Sequence, residues 1–134
     1  MNLVEKLIRI DKEKFQEKET KSIKSRRLSK IMGEDTEIKI QELSGKRLND
    51  LTQMIMNKNG KKDFSKMQDM NLMYCVYGVV EPNLRDPALL EHFGCKTPKE
   101  LASILFEVEA GKIAGEIAEL SGVGEDSEDE VKNS

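Results

Sequence analysis

The sequence predicts a mainly α fold, a small helical domain of about five to six helices with a short two-stranded β-hairpin and a disordered acidic C-terminal tail. Three observations predict it. Apolar residues recur at helical spacing through several separate segments, each of which asks for one buried face. Aromatic residues make up only 4% of the chain and tryptophan is absent, so the core must be built from Leu, Ile, Val and Met, a palette that suits helices packed on helices. One stretch, Glu37 to Leu43, alternates instead with period two.

The elements follow in order. Leu3, Val4, Leu7, Ile8 and Ile10 recur at helical spacing with Glu5, Lys6 and Arg9 on the other side, and Phe15 extends the stripe, so residues 3 to about 17 read as one amphipathic helix. From Lys21 to Lys30 basic residues dominate and only Ile23 and Leu28 offer apolar anchors. Met32-Gly33-Glu34-Asp35 reads as a turn, and Glu37 to Leu43 as a half-buried strand, one arm of the hairpin. Ser44 can cap a helix in which Leu48, Leu51 and Ile55 share a face, ending near Asn57, before an exposed Asn59-Gly60-Lys61-Lys62 loop.

Past Phe64, the residues Met67, Met70, Leu72, Met73, Tyr74, Val76, Tyr77, Val79 and Val80 leave almost no polar face, so this helix is the expected centre of the core, stopped by Pro82. Asp86-Pro87 opens a short helix that runs to Gly94. Thr97-Pro98-Lys99-Glu100 is a capping box, with Thr97 accepting from the fourth residue and Glu100 reaching back to Thr97. Leu101, Leu105 and Val108 carry the apolar face of its helix. A break at Ala110-Gly111 precedes a last helix with Ile113, Ile117 and Leu120 on one side, closed by Gly122 or Gly124. Residues 1–123 form the expected single domain and 124–134 the acidic tail.

The net charge of -3 conceals a division. Residues 1–62 carry 16 Lys plus Arg against 10 Asp plus Glu, whereas residues 63–134 carry 6 against 15, a basic front and an acidic back. Such asymmetry can steer a charged partner or attract a second copy head to tail. Charges interrupt every apolar run near the N-terminus, and the uncharged stretch from Met70 to Val80 falls well short of the roughly 17 residues a bilayer requires. Cys75 and Cys95 read as reduced cytosolic thiols.

Residues with chemical potential are sparse. His92 and Cys95 stand three apart, but no third group orients them, and one His with two distant Cys matches no metal-ligand spacing. Ser44-Gly45-Lys46 sits where a phosphate loop would, yet the positions that need Gly and Ser or Thr hold Ile40 and Arg47. The basic run Lys21, Lys24, Arg26, Arg27, Lys30 could meet phosphates, but it lacks interleaved aromatics and reads better as a solvated strand face or a partner-docking patch. Met54, Met56 and Met67 suit either core filling or an adaptable partner surface, and Met70 and Met73 suit the core.

Asp69-Met70-Asn71-Leu72, Tyr77-Gly78-Val79-Val80-Glu81-Pro82-Asn83-Leu84, His92-Phe93-Gly94 and Thr97-Pro98-Lys99-Glu100-Leu101 stand in an ordered series. Arg27-Leu28-Ser29-Lys30-Ile31-Met32-Gly33-Glu34 precedes it and Ala118-Glu119-Leu120-Ser121-Gly122 closes it. The series resembles the small tail assembly chaperones encoded by long-tailed phages and prophages of Gram-positive bacteria, over about residues 7 to 123.

The resemblance implies a late protein that binds the long, helical, apolar tape measure protein, keeps it soluble and helps bring tail tube subunits to it. It implies work in the bacterial host cytoplasm and absence from the mature virion. Expected partners are the tape measure protein, the tail tube protein and a second copy of the chain, without membrane or nucleic acid. No catalytic residue, cofactor or metal is expected. Phe93, Leu101, Leu105, Ile113 and Ile117 are the partner-contact candidates, because short C-terminal helices could present one shared apolar face, although the same residues could close the core around Met70 to Val80. A nucleic-acid-binding regulator using residues 21–30 and a structural virion protein are the alternatives.

Overall fold

The computed structural model describes residues 1–123; the predicted acidic tail, 124–134, lies outside the described residues. The elements are α1 (Leu3–Ile8), α2 (Lys12–Gln16), β1 (Thr20–Lys24), α3 (Arg26–Met32), β2 (Glu37–Gln41), α4 (Gly45–Gln53), α5 (Met67–Gly78), β3 (Val79–Glu81), α6 (Pro87–His92), α7 (Pro98–Phe106) and α8 (Ala110–Leu120). Short 3-10 turns at Phe64–Lys66 and Glu107–Glu109 lead into α5 and α8. The fold is mainly α as predicted, with more helices than the five to six expected and three antiparallel strands rather than two, in the order β1-β2-β3.

The extra strand comes from the end of the central helix. Val79 and Val80 are β-branched, and Pro82 disfavours helical geometry in Glu81, so the chain leaves α5 at Gly78 and pairs with β2 instead of continuing to Pro82. Gln41 at the end of β2 donates from Nε2 to the Tyr77 carbonyl at 3.0 Å, satisfying an acceptor that the ended helix leaves open. Strand β2 is the one that the alternation foretold: Ile38 and Ile40 are buried, and Glu37 and Lys39 face out. Its partner β1 lies within the basic run, and α3 occupies the connection between them.

Most predicted caps are present. Ser44 Oγ accepts from the Arg47 amide at 3.2 Å, and Asp86 Oδ1 accepts from Ala88 at 2.9 Å. Thr97 Oγ1 accepts from the Glu100 amide at 3.1 Å, but Glu100 reaches one residue further than expected, to the Lys96 amide at 3.2 Å. Gly122 closes α8: it adopts φ +92°, and the Val123 amide returns to the Ala118 carbonyl at 3.0 Å, while Gly124 lies outside the described residues. Helix α4 stops at Gln53, short of Asn57, because the Asn57 side chain accepts from the amides of Asn59 and Lys61 and so builds a turn of its own.

The core gathers where α5 meets α8 and α7, with β2 against α8. Phe106, Leu101, Ile113, Ile117, Cys75, Ile38, Ile40, Leu51 and Leu84 are the largest of its fully buried apolar side chains. Gly78 explains how closely α8 approaches: a Cβ there would collide with the Ile117 side chain. Burial pushes the Cys75 thiol up to about 12, with the nearby Glu109 charge adding to the effect.

Candidate partner-binding surface

The predicted contact residues do not form one outward face. Leu101, Ile113 and Ile117 are buried, because α7 and α8 turn their apolar sides onto α5, and they close the core, the alternative that their spacing left open. Leu105 is half-buried against the same cluster. Phe93 alone of the five is clearly exposed, at 38%, just past α6, with its ring edge-on to His92 at 4.8 Å.

The uncovered apolar surface lies instead at the N-terminus. The predicted helix over residues 3 to 17 is two short helices, since Asp11 favours a helix start over a helix interior and restarts the turn at Lys12. Neither buries a residue. Leu3, Val4, Leu7, Ile8, Ile10 and Phe15 are all exposed, Ile8 at 78%. The stripe is legible in the sequence as the face of an amphipathic helix, but period alone says that a face is apolar, not that the fold contains a surface to cover it.

A smaller exposed group involves α3 and the end of α7. Arg27 donates from Nε to the Leu105 carbonyl at 3.1 Å and from Nη2 to the Ile104 carbonyl at 3.0 Å, capping the end of α7. Ile31, one helical turn along α3 from Arg27, is exposed, as are Ile104 and Val108. Val108 was expected on the buried face of α7. It faces out because the helix ends at Phe106 and Glu107 adopts φ +50°, so the break falls at Glu107–Glu109 rather than at Ala110-Gly111. No turn residue marked that break in the sequence.

The same turn places Glu109. Its carboxylate accepts from Ser25 Oγ at 2.5 Å and from the amides of Arg26 and Arg27 at 2.8 and 3.1 Å, sealing the start of α3 against α8. Much of the basic run is therefore engaged inside the chain. Lys21 pairs with Glu116 at 3.1 Å, Lys24 with Asp35 at 2.9 Å, and Arg27 with the end of α7.

Cys95 directs its thiol to the Phe93 carbonyl at 3.7 Å. Among the described residues, no three His, Cys, Asp or Glu side chains are grouped to hold a metal ion, and no helix is long and apolar enough to cross a membrane.

Comparison with solved structures shows the fold in another protein. The chain is similar to the crystal structure of the protein yqbn, a target of the Northeast Structural Genomics Consortium, with a TM-score of 0.53 and 16% identity over 78% of this chain and 87% of that one. No curated protein matches the sequence. The model of the phage XkdN-like tail assembly chaperone proteins matches residues 4–133, almost the full length. The ordered series of residues from Arg27 to Gly122 is thus accounted for, and the chain belongs to the phage XkdN-like tail assembly chaperone family.

Proposed function

We propose that this chaperone binds the tape measure protein of its phage, keeps that long apolar product soluble in the host cytoplasm, and helps bring tail tube subunits to it without remaining in the finished virion. The observation that carries the reading is the N-terminal stripe, Leu3, Val4, Leu7, Ile8, Ile10 and Phe15, which a folded domain leaves uncovered. An amphipathic stripe of this kind is what a partner helix needs, because pairing two such faces removes both from water. Phe93 and Leu105 are the two candidates from the C-terminal helices that retain surface, and Leu101, Ile113 and Ile117 act by holding the frame on which that surface sits.

The engagement of Lys21, Lys24 and Arg27 within the chain weighs against the nucleic-acid reading, since those cations already have partners. Co-expression with the tape measure protein tests the proposal. The long product is expected in the soluble fraction, co-purifying with this chain, and absent from it when this chain is omitted. Precipitation in both cases contradicts the reading, as does recovery of this chain from mature particles.

A further inference from the structure

Lys18, Ser44, Arg47, Tyr77 and Arg85 line an open pocket of about 260 Å³ beside the end of β2 and the start of α4. Three of its lining side chains are cations and none is a carboxylate. The Arg47 guanidinium lies over the Tyr77 ring, 3.9 Å from the centroid, and Arg85 Nη1 is held by the Val76 carbonyl at 3.4 Å. These partners position the two planar heads without neutralising them. Among the described residues the ion pairs are Lys21 with Glu116, Lys24 with Asp35 and Lys99 with Asp69, so no carboxylate there answers Lys18, Arg47 or Arg85. Guanidinium groups gathered at one mouth, with open space between them, match the two-oxygen fork of a carboxylate.

The chain carries such groups in its own sequence. The Leu43 amide donates to Ser121 Oγ at 2.9 Å, which pins the end of α8 to a residue of the pocket wall. Beyond Val123 the sequence holds Glu125, Asp126, Glu128, Asp129 and Glu130. Counted from Ser121, these carboxylates fall within about 13 to 30 Å of extended chain, enough to reach the pocket. The neighbouring cleft is lined by Glu17, Glu19 and Glu42 as well as Lys14 and Lys18, which directs an acidic segment toward the Arg47 and Arg85 side.

We propose that Lys18, Arg47 and Arg85 form a binding site for the carboxylates of an acidic polypeptide segment, and that its occupant is this chain's own segment 125–130. The tether supplies an effective concentration on the order of mM, so contacts that are individually weak are enough to hold it. A partner segment with denser carboxylates would displace it, which makes the site open to exchange.

The test is NMR of the full chain, comparing the wild type with a variant carrying E125Q, D126N, E128Q, D129N and E130Q. Neutralising the segment is expected to move the resonances of Ser44, Arg47, Tyr77 and Arg85, and raising salt from about 0.05 to 0.5 M to move them the same way as screening takes hold. In an R47Q/R85Q chain, which retains its dispersed spectrum, those responses are expected to vanish. A peptide of residues 124–134 added to the neutralised chain restores the wild-type positions, whereas inorganic phosphate at equal ionic strength does not. Unmoved pocket resonances, changes confined to Lys21 and Lys24, or full restoration by phosphate would overturn the proposal.

Discussion

Helix α8 and the N-terminal helices α1 and α2 carry apolar stripes of similar spacing, and the fold treats them in opposite ways. Helix α8 buries Ile113, Ala114 and Ile117 against α5 and β2, while α1 and α2 bury nothing. The difference is not in the pattern but in what waits opposite. Gly78 and the small Ala114 let α8 settle onto its neighbour, so its stripe finds a complementary wall. The first sixteen residues bury no side chain among the described residues, which leaves their stripe available to another polypeptide.

Mutations in the two regions should therefore separate by several kcal/mol. F106A removes a fully buried ring and is expected to lower unfolding free energy by about 3–5 kcal/mol in urea titrations, whereas L7A and I8A should each change it by less than about 0.5 kcal/mol. An arm mutant as damaging as the core mutant would mean that the arm is packed after all. G78A should cost about 1–3 kcal/mol, because its new methyl meets Ile117, and combining it with I117V should recover part of the loss. If G78A melts like the wild type, the close approach of α8 is not what sets the core.

Smaller effects sharpen how the C-terminal frame is joined to α3. E109A is expected to lose about 1–2 kcal/mol, since it removes the acceptor shared by Ser25, Arg26 and Arg27, and E109Q should lose less by keeping one oxygen. Thermal melts that rank E109Q below E109A would contradict this account. At the small end, E107G should raise stability by about 1 kcal/mol, because relief of the positive φ outweighs the backbone entropy that glycine adds. A loss on that substitution would mean that the Glu107 side chain contributes more than its backbone strain costs.

What the sequence made legible were features with local causes. The Ile38 and Ile40 alternation located β2, and Ser44, Asp86 and Thr97 marked helix starts that the structure contains. What it concealed depends on distant partners. Val79 and Val80 continued an apolar helix on paper and became β3 because β2 offers them hydrogen bonds. Glu107 resembles any helical glutamate in the sequence, yet it adopts a positive φ that ends α7 and leaves Val108 outward. The candidate contact residues illustrate the same point. Leu101, Ile113 and Ile117 were legible as apolar and helical, but whether such a face meets core or solvent is decided by elements far away in the chain.

The account rests on the exposed N-terminal stripe being the part that shelters a client. Its most direct test is the solubility of co-expressed tape measure protein with the wild-type chain and with an L7D/I8D variant whose melting transition matches the wild type. The account predicts that the variant folds but leaves the client in the pellet. Equal amounts of soluble client with both chains would contradict it.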